Sequence, residues 1–164
     1  MTAGQVSDDT GAANAGKIDN QAWNGMLGYS LGGHKVSLGY QQMRGDTGYA
    51  YIDGSDPFLV NFVQINDFAN ADERSWQARY DYNFAGLGVP GLTFMTRYIT
   101  GDNFERANGT EGKEWERDMD IGYTFQEGAL KNLGVRWRNA SVRSNFANDI
   151  DENRLIVGYS LPIW

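Results

Sequence analysis

The sequence predicts an all-β fold: a curved antiparallel meander of about seven strands that makes up part of a transmembrane β-barrel. Three observations carry that expectation. Runs of about ten residues alternate apolar and polar side chains, the period of a strand with one wet face, and about ten residues suit a tilted bilayer crossing better than the five or six of soluble sheets. No stretch approaches the roughly 18 to 20 continuous apolar residues of a membrane-spanning helix. The connections sort into short turns alternating with longer polar segments, as in outer-membrane barrels, where short turns are periplasmic and long loops extracellular.

In chain order, the first twenty residues are rich in Gly, Ala, Asp and Asn and have no period. They read as an extracellular loop, leaving residues 21–164 for the barrel. Trp23 to Leu31 aligns Trp23, Leu27, Tyr29 and Leu31, and after a Gly32-Gly33 hairpin turn Lys35 to Gln42 aligns Val36, Leu38 and Tyr40. A long acidic segment, Arg44 to Arg74, follows. The clearest alternation is Ser75 to Phe84, with Ser75, Gln77, Arg79 and Asp81 on one face and Trp76, Ala78, Tyr80 and Tyr82 on the other.

Through the turn Ala85 to Gly91 the chain enters Leu92 to Thr100, where Leu92, Phe94 and Tyr98 oppose Arg97, and the apolar Met95 and Ile99 blur the wet face. Beyond the polar segment Gly101 to Glu114, Trp115 to Phe125 sets Met119, Ile121 and Tyr123 against Asp118 and Asp120. After the turn Gln126 to Asn132, Leu133, Val135 and Trp137 oppose Arg136, Arg138 and Ala140. Past Ser144 to Asp151, the last run aligns Leu155, Val157, Tyr159, Leu161 and Ile163 opposite Arg154. Trp164 is one step out of phase, and Pro162 is expected to reset the register. Aromatics near the strand ends, among them Trp23, Tyr40, Trp115 and Tyr159, fit an interfacial girdle. An odd strand count implies further strands upstream, because single-chain bacterial barrels close with an even number.

Composition narrows the function. The net charge of −7 gives nucleic acid no electrostatic footprint. The absence of cysteine excludes thiol catalysis, cysteine-ligated zinc and disulfides. The only histidine, His34, has no catalytic partner in sequence, and no phosphate-binding glycine loop follows a strand, so neither an enzyme nor a cofactor is expected. Asp149, Asp151 and Glu152 lack the frame of a calcium loop, so no metal is expected. Met1 to Gln5 lacks an export signal, so either that information lies outside this sequence or the protein is cytoplasmic.

Arg79, Arg97, Arg136, Arg138 and Arg154 all fall on the non-lipid face. Arginine on the lipid side near the bilayer midplane costs roughly 2–4 kcal/mol, so these five face water. There they either bind passing carboxylates in series or pair with Asp81, Asp118 and Asp120 to hold the wall. In the long segment, Tyr49, Tyr51 and Asp53 could reach a pore mouth, the acid facing an ammonium group and the rings stacking, or else belong to a solvated loop. A soluble β-sandwich binding module with an aromatic ligand-stacking face is the alternative architecture.

The segments Gly33 to Gln42, Phe62 to Ala69, Arg79 to Tyr82 and Gly88 to Thr93 resemble the OprD family of Gram-negative outer-membrane porins. So do Glu114 to Asp118, Val135 to Asn139 and Asp149 to Arg154, all in the family's order. The resemblance runs from about Gly11 to Trp164. It implies the C-terminal part, about seven strands, of an eighteen-stranded barrel in the bacterial outer membrane, contacting membrane lipid and the missing N-terminal strands. It also implies passive uptake of small carboxylates, aromatic acids or amino acids, that is, of small anionic or zwitterionic solutes. Arg136 and Arg138 match the family's arginine ladder by motif, and Arg154 by position. The inward-folded constriction loop is expected from the absent N-terminal half.

Overall fold

The computed structural model describes residues 2–7, 18–51 and 56–161. Its strands form one antiparallel sheet in simple sequence order: β1 (Thr2–Ser7), β2 (Asp19–Leu31), β3 (His34–Arg44), β4 (Arg74–Asn83), β5 (Leu92–Glu105), β6 (Glu111–Thr124), β7 (Leu133–Ser144) and β8 (Ile150–Tyr159). All seven expected strands are present. One is added, since Thr2 to Ser7 pairs with Asp19 to Asn24 although its composition reads as loop. Hydrogen bonding to a formed neighbour stands in for the missing side-chain period there. The sandwich alternative needs two sheets, and all the strands among the described residues belong to a single one.

Several strands run past their sequence limits. β5 extends to Glu105 and β6 begins at Glu111, so the connection expected over Gly101 to Glu114 is a turn at 106–110. The connection expected over Ser144 to Asp151 likewise shrinks to 145–149. The register shifts between Gly101 and Phe104 of β5, and Glu111 to Glu114 carries no apolar side chain, so hydropathy loses its alternation while the backbone ladder continues. The sorting of connections into short and long therefore rests, among the described residues, on 45–73 alone. The opposite end carries Gly32-Gly33 and two 3-10 turns, Phe84–Leu87 and Gly128–Leu130. Gly32, at φ +58, adopts the left-handed conformation the tight hairpin requires.

Burial is inverted relative to a soluble protein. The outer face exposes large apolar side chains, including Leu27 (79 %), Leu38 (62 %), Leu155 (73 %) and Val157 (62 %), whereas Gln41, Ser75, Gln77, Glu116 and Asp118 are buried. A contiguous apolar face of this extent requires an apolar solvent. The rings at its margins contact one another across strands, as Tyr40 with Trp76 (4.4 Å between centroids) and Tyr98 with Trp115 (5.6 Å).

What buries the inner polar face is the segment 45–73, folded back over the sheet. A small apolar cluster of Ala22, Met43, Leu59 and Ala69, with Tyr49 packed against it, seats one part. Polar side chains of the wall hold its backbone. Gln41 Nε2 donates to the carbonyls of Asp67 (3.0 Å) and Phe68 (2.8 Å), and Gln77 Nε2 donates to that of Val60 (2.9 Å). Asn61 N donates to Gln41 Oε1 at 3.0 Å. Gly101 of β5 has no room for a side chain, since a Cβ would collide with the Glu73 carboxylate. An inward-folded loop was expected only from outside this chain, yet the chain carries one of its own.

Candidate functional site

Register places the five arginines together. On the inner face, Gly28, Ser37, Arg79, Arg97, Asp118, Ala140 and Glu152 are successive cross-strand neighbours from β2 to β8. The adjacent row, nearer the short turns, runs Ser30, Lys35, Asp81, Met95, Asp120, Arg138 and Arg154, and Arg136 lies one pair further on, opposite Gly122. Two like-charged pairs thus stand directly opposite, Arg79 with Arg97 and Arg138 with Arg154. Such pairs repel unless acids intervene.

Acids do intervene. Arg79 Nη2 contacts Asp81 Oδ1 at 2.7 Å on its own strand, and Arg97 Nε contacts Asp118 Oδ2 at 2.6 Å on β6. Asp120 is shared: its Oδ2 accepts from Arg138 Nε at 2.7 Å, and its Oδ1 lies 3.4 Å from Arg136 Nε. Arg154 Nη2 donates to Glu152 Oε2 at 2.8 Å. In sequence, no acid lies between Arg136 and Arg138. Their counter-ion comes from the neighbouring strand, which only the register reveals.

Pairing leaves the arginines accessible. Arg136 and Arg154 keep 47 % and 46 % of their side-chain surface exposed, against 16 % for Arg97. A groove of about 520 Å³ runs along this face, lined by five cations, Lys35, Arg79, Arg97, Arg136 and Arg138, and two acids, Asp81 and Asp120. The local balance is therefore positive inside a chain of net charge −7. Guanidinium groups with free edges can accept a carboxylate bidentately while still holding their structural acids. Lys35 obeys the same alternation as the arginines, opposite in phase to Val36 and Leu38, and that signal was available in the sequence.

The roof of the groove is the tip of the folded loop, since Val63 and Gln64 line it with the arginines. Glu116 anchors this tip by accepting from Ile65 N (3.0 Å) and Asn66 N (2.7 Å). Glu114 accepts from Asn66 Nδ2 at 2.7 Å, and Gln64 Nε2 reaches Glu152 of β8 at 2.6 Å. The signal for these acids was the run Glu114, Glu116, Asp118, Asp120 at a spacing of two, which puts four carboxylates on one face of β6. At the loop's exit, Glu73 is fully buried and accepts from Asn70 N (2.9 Å) and Asn70 Nδ2 (2.8 Å). Burial, with the Glu114 carboxylate nearby, pushes its carboxyl up to about 9.

The aromatic part of the expected mouth is arranged differently. Tyr49 turns toward the loop's apolar cluster, and its hydroxyl donates to the Pro57 carbonyl at 3.1 Å. Tyr51 donates its hydroxyl to Asp67 and stands edge-on to Tyr49 at 5.1 Å. Burial and the Asp67 contact push the Tyr51 phenol well above its ordinary range. Neither ring lines the arginine groove. Asp53, and the phase of Trp164, lie outside the described residues.

Comparison with known proteins agrees with this geometry. Residues 3–163 match the family described as "outer membrane porin, OprD family". Porin D of Pseudomonas aeruginosa is 39 % identical over 96 % of this chain, and the porin-like protein GalP of Pseudomonas putida 41 % identical over 94 %. The chain spans 41 % and 37 % of their respective lengths. Among solved structures, OccK5 (OpdH) of P. aeruginosa superposes with a TM-score of 0.91 at 63 % identity, covering 96 % of this chain and 43 % of that one. OpdQ of the same organism gives 0.87 at 68 % identity, covering 90 % and 40 %. The inverted burial, the single meander sheet and the matched residues agree: this chain belongs to the OprD family of outer membrane porins.

Proposed function

We propose that this chain is the C-terminal wall of a pore for passive diffusion of small carboxylates, aromatic acids or amino acids, with further strands of the same barrel closing the sheet. The observation that carries the reading is the groove itself. Five cations face two acids beneath the loop tip, where the low-dielectric wall concentrates anions. Arg136 and Arg138, which line the groove, and Arg154, the cross-strand neighbour of Arg138 outside that lining, form the ladder, each engaged by an acid and a third to a half exposed, so a carboxylate exchanges between neighbours without being trapped. Arg79 and Arg97 hold the wall with Asp81 and Asp118 and supply field. The connection 45–73 marks the extracellular end, because outer-membrane barrels carry their longer loops there.

Arg136→Ala and Arg138→Ala, made in the full-length protein, test the ladder. Each is expected to lower benzoate flux through planar bilayers by about threefold to tenfold, the loss of roughly one ordinary hydrogen bond at a solvent-accessible site. Unchanged anion preference in both variants defeats the mechanism.

A further inference from the structure

The lipid-facing side carries a feature that solute passage does not use. Beside Ala78 of β4 the apolar belt is notched: Val36, Tyr80, Thr96 and Tyr98 border a mostly apolar hollow of about 380 Å³, and Arg117 closes one end. The hollow follows from register, since Leu38, Ala78, Tyr98 and Arg117 are successive cross-strand neighbours and a single methyl group stands between two large side chains.

Arg117 projects outward at the margin of the belt. Its Nη2 donates to Asn139 Oδ1 (3.2 Å) and Ser141 Oγ (3.3 Å) of β7, both neutral. Among the described residues no carboxylate lies within ion-pair distance of it; Asp151, opposite Ser141 on β8, adds its field but is bonded to Arg143. The contrast lies one pair nearer the 106–110 turn, where Arg143 is engaged by Asp149 (3.2 Å) and bidentately by Asp151 (3.1 and 2.9 Å). A cation on the lipid face is costly toward the midplane and tolerable near the interface. Arg117 is tethered sideways by β7 through Nη2, and its Nε and Nη1 have no hydrogen-bond partner among the described residues.

We propose that this is a lipid-binding site: an acyl chain lies in the notch over Ala78, and the phosphate of the same lipid, in the leaflet on the 45–73 side, binds the Arg117 guanidinium. Planar guanidinium suits phosphate oxygens, and an apolar trough ending in a fixed cation matches a phosphorylated lipid end to end. The assignment rests on membership of an outer-membrane family and not on the solute reading.

Native mass spectrometry of the full-length protein in detergent, titrated with diphosphorylated lipid A, tests it. Phosphatidylcholine and inorganic phosphate serve as the arms lacking, respectively, the net negative charge and the acyl chain. Arg117→Gln is expected to weaken lipid A retention about tenfold. Arg117→Lys, which keeps the charge, should recover part of it. Ala78→Leu, which fills the notch and leaves Arg117 intact, should also weaken retention, and single-channel conductance of all three should match the parent, certifying folded barrels and keeping the outcome separate from that of the ladder. Lipid retention unchanged in Arg117→Gln or in Ala78→Leu overturns the site, as does inorganic phosphate displacing lipid A at equal concentration.

Discussion

Asp120→Asn removes the one acid that Arg136 and Arg138 share while keeping its shape. The amide oxygen can still accept from Arg138 Nε, which sits 2.7 Å from the present carboxylate. Both arginines are a third to a half exposed, 34 % and 47 %, so losing the ion pairs is discounted to surface values, under about 1 kcal/mol of stability. The effect on a solute is larger. One negative charge taken from about 8 Å away is worth about 0.5 kcal/mol in water and about 2 kcal/mol at an effective dielectric of 20. That is about a twofold to thirtyfold gain in anion occupancy at fixed bulk concentration. The assay is the reversal potential under a potassium chloride gradient in planar bilayers, kept below about 0.1 M, where the screening length is still about 10 Å. The chloride-to-potassium permeability ratio should rise, and the rise should fade at about 1 M salt. A ratio that stays fixed or moves toward potassium refutes the claim that these arginines set the selectivity of the groove.

Three further outcomes are expected. Glu116→Ala takes away two short hydrogen bonds to the loop tip, from Ile65 N and Asn66 N, and should raise both mean conductance and open-channel noise; traces identical to the parent's would show that Glu116 does not hold the tip. Glu73 binds its proton more tightly when folded than unfolded, so its contribution to stability is full below about pH 4.5 and is lost as pH rises through about 9. Protease cleavage within 45–73 should accelerate between pH 7 and pH 10, the Glu73→Gln variant should flatten that dependence, and equal slopes in both proteins would contradict the assignment. Leu27→Arg on the lipid face should destabilise the barrel by about 2–4 kcal/mol in urea unfolding from phospholipid vesicles, and a shift below about 0.5 kcal/mol would mean that Leu27 does not face hydrocarbon.

The facing of each strand was legible because the side-chain period is two and the lipid tolerates only one phase. This is why Arg79, Arg97, Arg136, Arg138 and Arg154 could all be assigned to one side from spacing alone, and the register puts all five on the sheet face opposite the exposed apolar side chains. What each arginine touches was less accessible. The bond from Arg138 to Asp120 crosses from β7 to β6 and depends on a register that alternation cannot supply. The segment 45–73 has no period at all, since its ordering comes from long-range bonds such as Gln41 to the Phe68 carbonyl and Gln64 to Glu152. Strand ends were missed for a related reason: β5 shifts register between Gly101 and Phe104, which breaks the period of two, and Glu111 to Glu114 has no apolar side chain to mark a face.

The strict alternation of β6 also governs how this sequence can change in length. Deleting one residue within Met119 to Tyr123 would swap the faces of one part of the strand relative to the other. It would turn either the four carboxylates Glu114, Glu116, Asp118 and Asp120 or the apolar Ile121 and Tyr123 to the wrong solvent, and would detach the loop tip from Glu116 as well. An insertion of the same size at 106–110 disturbs a solvated turn and leaves every cross-strand partner in place. Random single-codon insertions and deletions that preserve a folded barrel should therefore collect at 106–110 and 145–149 and be absent from the middle of β6, so that tolerance to length change, more than tolerance to substitution, maps where the membrane-facing wall lies.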